Sequence, residues 1–284
     1  MRHGFLPVDK PDGMTSHDVV AIARRRLSER SIGHLGTLDP AATGLLMLAV
    51  GKKALKVVHL FSELRKEYVA DVKLGWVSTT YDREGVIRQY EIPMGWDAPE
   101  QGTIQRLIAD RFTGNIRQVP PAYSAISIGG KRSYDLAREG KAVEIAAREV
   151  DIGVCEVLKY EYPDLKLRVE CGSGTYIRSL AHDLGHLLHC GGYLAALRRT
   201  KVGEWTLNGS MAPEQVSWTG VIPLKDILAR YPRYNLTDSD WEEIGFGRNI
   251  EAEVQPLTVA WHQDLPVALL VPAGDGTAHA KKVF

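Results

Sequence analysis

The sequence predicts an α+β protein built on a mixed, largely antiparallel sheet flanked by helices and loops, with a small C-terminal domain after it. Three observations predict this. Segments with the two-residue period of strands and segments with the 3.6-residue period of helices are interspersed, with no regular βαβ beat and no internal repeat. The chain has 284 residues and is 44% hydrophobic, enough for one large core and a smaller one. Composition shifts near Pro223, beyond which the chain is acidic and contains Pro232, Pro266 and Pro272. The expected division is 1–222 and 223–284.

Taken in order, residues 5–8 read as a short strand, and Pro11-Asp12-Gly13 as a turn. Thr15 or Ser16 can cap a helix running to about Leu27, with Val19, Val20, Ile22, Ala23 and Leu27 as its apolar face. Residues 45–50 read as a buried strand and 52–61 as a helix. Tyr68, Ala70, Val72 and Leu74 alternate with polar residues, the mark of a half-buried strand. Helices are expected at 103–112 and 133–139, strands at 150–160 and 165–171, and an amphipathic helix at 175–189 ended by Gly191-Gly192. Beyond Pro223 the pattern allows one helix, 239–246, and a few short strands.

Several function classes are disfavoured. No apolar run approaches the roughly 20 residues of a membrane helix. The N-terminus lacks the apolar stretch of a secretory signal, so the expectation is a cytoplasmic protein with no membrane partner. Cys155, Cys171 and Cys190 are an odd number without close spacing, which argues against a disulfide framework. Formal net charge is zero, but its distribution is uneven. Residues 1–80 carry 12 Lys and Arg against 8 Asp and Glu, whereas residues 221–284 carry 6 against 9. Basic clusters at 24–26, 52–56, 65–66, 131–132 and 198–201 are, singly, usually solvated faces; a phosphate-binding surface requires several to gather in space.

The most informative stretch is GHLGTLDPAATGLL, residues 33–46. Its three glycines permit tight turns and close backbone approach to a ligand. Asp39 precedes Pro40, so its backbone is biased away from the helical region, and Pro40 suits the first position of a short helix with Asp39 as cap. An isolated Asp-Pro is ordinarily just such a cap. The functional alternative is a carboxylate on a Gly-rich loop, supported by the strand that follows.

A second candidate constellation is His182, His186 and His189, at i, i+4 and i+7 beside Cys190. HDLGH approaches the zinc-protease pattern, but aspartate is shorter than the glutamate of that motif and Gly185 weakens the helix, so no metal is expected.

Five segments in order carry a more specific signal: KPDGMTS at 10–16, GHLGTLDPAATGLL at 33–46, Lys66-Glu67-Tyr68 with Leu74-Gly75 after it, GTYIRSLAHDLG at 174–185 and LRRTKVG at 197–203. Together they resemble the signature segments of the TruB-type pseudouridine synthases, over about residues 5 to 210. VPPAYSAISIGGKRSYDLAREG, at 119–140, resembles the insertion of the bacterial, stand-alone branch, placing an insertion near 119–148. The resemblance implies the pseudouridine synthase fold and a small, PUA-like or reduced C-terminal domain. It implies a catalytic aspartate at Asp39, a base-stacking and proton-transferring tyrosine at Tyr68, and an arginine pairing with the aspartate at Arg178. Leu197 matches the leucine lining the pocket, and His34 the histidine near the displaced nucleotide. Lys10, Pro11 and Tyr176 match pocket-supporting positions.

The implied reaction isomerises uridine to pseudouridine in the T-loop of tRNA, at position 55, with the target base flipped into a pocket. The glycosidic bond breaks, the uracil turns, and its C5 joins the sugar. A carboxylate can attack the sugar, attack the base, or assist a glycal-type route; the sequence leaves all three open. With no redox step or hydrolysis, no cofactor is required. The implied partner is the tRNA T-arm, with no guide RNA, and the implied state a monomer. The chain departs from the family at residues 78–82, Ser-Thr-Thr-Tyr-Asp, where an acidic pattern is common; that loop is expected on the surface, away from the chemistry.

Overall fold

The computed structural model describes residues 3–124, 127–128, 131–132 and 145–284; the helix expected at 133–139 lies outside them. A ten-stranded mixed sheet organises the first part of the chain. Its main path runs Ile222–Pro223, Gly4–Lys10, Ala42–Val50, Gly192–Val202, Lys66–Leu74, Asp164–Cys171, Arg148–Glu161, Gly114–Gln118. Neighbours along this path are antiparallel except at one junction, where Ala42–Val50 and Gly192–Val202 run parallel. There Leu197 lies opposite Ala42, and Arg199 opposite Gly44. Gly44 has φ +100°, and a Cβ on it would come 2.2 Å from the Arg199 carbonyl oxygen. Only glycine lets the two backbones approach so closely.

Most elements follow from local chemistry. The helix Ser16–Leu27 opens on a capping box in which Thr15 and Asp18 satisfy each other's backbone N–H groups. Its buried face is Val19, Val20, Ala23 and Leu27. Its end is Ser28, in the left-handed region with its N–H bonded back to the Arg24 and Arg25 carbonyls. The helix expected at 52–61 is instead an α-helix, Lys52–Lys56, followed by a 3₁₀ turn, Val58–Phe61. Val57 leaves helical geometry between them, and Val57 and Phe61 both enter the core. The strand Gly192–Val202 has no clean alternation, because its pairing with Lys66–Leu74 shifts register at Leu194/Ala196 and again at Arg199/Lys201. The basic run at 198–201 reads in sequence as a solvated face, yet Arg199 is only 3% exposed.

One face of the sheet packs on the helices Gln101–Arg111 and Ile177–Leu187, burying Ile104, Ile108, Leu180 and Leu184 against Ala70, Leu165 and Leu167. Another cluster, beneath Ser16–Leu27, gathers Leu6, Val8, Val19, Leu46 and Leu48. Tyr68 and Leu197 pack against both clusters. Gly185 breaks the helical pattern for a reason: a Cβ there would meet the Gly191 and Gly192 backbone at 2.2 Å, where the following strand begins. Residues 233–283 form a five-stranded sheet ordered Arg233–Asn235, Thr258–His262, Leu265–Gly274, Thr277–Val283, Ile250–Glu251. Its alternation feeds two cores. Val259, Trp261 and Leu269 pack with Phe5 and Phe61 of the first part, while Ala260, Ala268 and Leu270 pack with Ile244 of the helix Asp238–Gly245.

Candidate active site

Asp39 lies in a β-turn: the Ala42 N–H donates to the Asp39 carbonyl at 3.0 Å. The turn feeds directly into the strand Ala42–Val50, so the short helix expected after Pro40 does not form, and Asp39 caps none. Proline suits the second position of a β-turn as well as a helix start, and the pairing of Ala42 with Leu197 decides between them. Two buried cations hold this loop by its carbonyl oxygens. Lys10, 0% exposed, donates Nζ to Pro11 (3.0 Å), Met14 (2.6 Å) and Pro40 (3.0 Å). Arg199 donates Nε to Leu45 (2.7 Å), Nη2 to Gly36 (3.1 Å) and Nη1 to Thr37 (3.5 Å). Buried Ser16 completes the frame, accepting from the Leu38 N–H at 2.9 Å and donating to the Leu38 carbonyl at 3.0 Å. With the backbone so fixed, the Asp39 side chain projects outward and is 42% exposed.

Arg178 sits in the first turn of the helix Ile177–Leu187. The helix start is clasped by buried Gln118, whose Nε2 donates to the Tyr176 carbonyl at 3.0 Å and whose Oε1 accepts from the Tyr176 N–H at 2.8 Å. The Arg148 guanidinium covers the Tyr176 ring, 4.8 Å from its centre. Arg178 then bridges two carboxylates: Nε to Asp39 Oδ2 at 3.1 Å and Nη1 to Asp82 Oδ2 at 3.3 Å. Asp82 corrects an expectation. The loop at 78–82 is not a remote surface feature, since Ser78 and Asp82 are buried. The other Asp82 oxygen accepts from Thr80 Oγ1 at 2.5 Å and from the Glu84 N–H at 3.0 Å. The hydroxyl residues that replace the acidic pattern therefore supply a donor to the one acid that remains.

Asp39, Ala42, Asp82, Arg178 and Leu197 line one small cleft. A guanidinium shared by two carboxylates fixes the orientation of both. The carboxyl of Glu84, nearby, is pushed upward by burial and by the charges of Asp82 and Asp39. Tyr68 packs beside Leu197, near enough to Asp39 for the carboxylate's charge to act on its phenol. It stands on the strand beside that of Leu197, opposite Arg199. Burial pushes its hydroxyl up from the usual phenol range, with the Arg199 guanidinium pulling the other way, so it is a neutral phenol near pH 7. Lys10 and Tyr176 support the loop and the helix start rather than the cleft. His34 packs edge-to-face on His17, ring centres 5.4 Å apart, with its Nδ1 buried and unpartnered among the described residues. Burial lowers its pKa.

The three histidines do not share a helical face. The helix ends at Leu187, and His189 lies beyond it at φ +57°. His182 and His186 stand 4.2 Å apart between the rings of Tyr81 and Tyr90. Among the described residues no group of three potential ligands comes together. Sequence reasoning missed Asp82, Gln118, Arg199 and Ser16. Of these, Arg199 and Ser16 lay inside the motifs given above, but their chain neighbours Arg198, Thr200, Thr15 and His17 are polar and exposed or half-buried, so no local pattern marked them as buried.

The solved structure of a Cbf5-Nop10-Gar1 complex matches the fold with a TM-score of 0.68 and 27% identity, covering 94% of this chain and 77% of that one. The class is thereby that of the pseudouridine synthase fold. The family description "TruB family pseudouridylate synthase (N terminal domain)" matches residues 24–177, and "tRNA pseudouridylate synthase B C-terminal domain" matches residues 178–220. Among curated relatives, tRNA pseudouridine synthase B of Corynebacterium glutamicum is 40% identical over 257 residues, 88% of this chain and 85% of that protein. That of Dehalococcoides mccartyi is 38% identical over 293 residues, 99% of this chain and 96% of its own. The chain belongs to the TruB family of pseudouridine synthases.

Proposed function

We propose that this synthase acts on tRNA, converting the T-loop uridine at position 55 to pseudouridine, as a stand-alone monomer that needs no guide RNA. The relatives named tRNA pseudouridine synthase B support the substrate class. The observation that carries the assignment of the site is Arg178, held between Asp39 and Asp82 at the cleft. In this reading Asp39 is the reacting carboxylate, aimed by Arg178. Leu197 bounds the pocket for the flipped base. Tyr68 offers its ring to the base and its phenol to proton transfer, and His34 stands near the displaced nucleotide. Flipping costs a few kcal/mol, and stacking on an aromatic ring returns about 1–3 kcal/mol. Attack at the sugar, attack at the base and a glycal-type route all use an ionised Asp39. We also propose that 1–222 is the catalytic domain and 223–284 a small domain; the separate five-stranded sheet supports the division.

The test is incubation of unmodified tRNA transcript with the protein, followed by carbodiimide labelling and primer extension. One labelled uridine in the T-loop is expected. Asp39→Asn should bind the transcript as the wild type does and turn none over. Full activity in that variant would overturn the assignment.

A further inference from the structure

The pair His182 and His186 is not used by the chemistry above, and neither is Tyr81, a residue with φ +64°. They meet: the Tyr81 and His182 rings are stacked at 3.7 Å between centres and 11° between planes. The contact is in register with the ion pair beside it. His182 and Arg178 are four residues apart on one helix and share a face. Tyr81 and Asp82 are consecutive on the loop. Tyr81 meets His182 while Asp82 meets Arg178, one helical turn away.

Consecutive residues of an extended loop point to opposite sides, so both can reach the same helix only if the backbone is turned. The left-handed conformation of Tyr81 supplies that turn. Bulky residues seldom adopt it unless surrounding contacts over-determine it. Here the Tyr81 N–H donates to the Ser78 carbonyl at 3.1 Å, and its own carbonyl accepts from the Leu194 N–H at 2.9 Å. The ring stack is a further constraint, acting on the Tyr81 side chain itself. The Nδ1 of the histidine is buried with no partner among the described residues, so on that side it serves as a flat ring rather than as a hydrogen-bonding group. It is also uncharged near pH 7, since burial and His186 lower its pKa to about 4, so it adds no charge beside Arg178.

We propose that the stack of Tyr81 on His182 is a positioning device that aims Asp82 at Arg178 and so sets the guanidinium on which Asp39 depends. Tyr81 and His182 are positioning residues that touch neither substrate nor reacting atoms. The inference rests on the reading of Asp39 and Arg178 given above. The test is steady-state kinetics of pseudouridine formation on an unmodified tRNA transcript. Tyr81→Ala should lower kcat about tenfold while KM stays within about twofold. Tyr81→Phe and His182→Phe, which keep the stack, should match the wild type. Tyr81→Gly relieves the backbone but deletes the ring, and should be as impaired as Tyr81→Ala. The double variant Tyr81→Ala/Asp82→Asn should be no slower than Asp82→Asn alone, because both act through one contact. His182→Ala removes the stack from the helix side, so a folding defect in one variant leaves the other to decide. Wild-type kcat in both alanine variants, or in Tyr81→Gly, would overturn the inference while Asp39→Asn remains inactive. Turnover by Asp39→Asn would instead remove the reading on which it rests.

Discussion

Lys10 and Arg199 are buried cations whose hydrogen bonds go to backbone carbonyls rather than to carboxylates. Burial makes such a charge costly unless its donors are satisfied, and pushes the Lys10 ammonium below its usual range. Arg199 draws the Gly36 and Thr37 carbonyls inward and Lys10 ties the Pro40 carbonyl to those of Pro11 and Met14, which is how a turn with an exposed side chain acquires a fixed backbone. Replacing Lys10 with methionine keeps the length and leaves three carbonyl acceptors without their donor. Lys10→Met should therefore lose about 3 kcal/mol of stability, read from urea unfolding. An unchanged midpoint would show that the carbonyls find other partners. Neither role is visible residue by residue in the chain, because a lysine or arginine in a loop motif is most often a solvated charge.

The helix Ile177–Leu187 concentrates the consequences of burial in one element. It carries Arg178 and His182 toward the site, and next to His182 it carries Asp183, whose carboxyl burial pushes up to about 6. The folded state thus holds that proton more tightly than the unfolded chain does. The favourable contribution is present below the ordinary carboxyl range and is lost as pH rises through about 6. Asp183→Asn, neutral at every pH, should be more stable than the wild type at pH 8 by about 1–2 kcal/mol, less than the full shift implies because water still reaches the group. Near pH 4 the two proteins should melt together. Thermal unfolding at the two pH values reads this directly, and an equal difference at both would exclude a titration origin. The helix itself was legible from its 3.6-residue period, whereas the strand Gly192–Val202 was not. Its two register shifts erase the alternation on which strand reading depends.

At the scale of the whole molecule, the acidic C-terminal segment shares a core with the first part of the chain rather than being tethered to it. Trp261, Val259 and Leu269 share a core with Phe5, Phe61 and Leu224. A composition shift at Pro223 marks a new sheet but not a break in packing, since Ile222–Pro223 is itself the edge strand of the large sheet. Calorimetry should show one unfolding transition for the full chain. Trp261→Ala should lower that single transition by the equivalent of about 3–5 kcal/mol. Two separated transitions, with only the minor one affected, would show that the parts unfold independently.

The sequence by itself determined the α+β class, most helix and strand positions, and the ordered motifs that bring Asp39, Arg178 and Leu197 to one cleft. It could do so because periodicity and capping are local, and because the motifs are long enough to be specific. Tertiary structure alone decided that Pro40 enters a turn and not a helix, that Asp82 is buried against Arg178, and that Tyr68 stands on the strand next to that of Leu197, opposite Arg199. These outcomes hinge on the single parallel junction of the sheet, which pairs Leu197 with Ala42. Its partners are some 155 residues apart in the chain, and no local preference for turn, helix or exposure carries information over that separation.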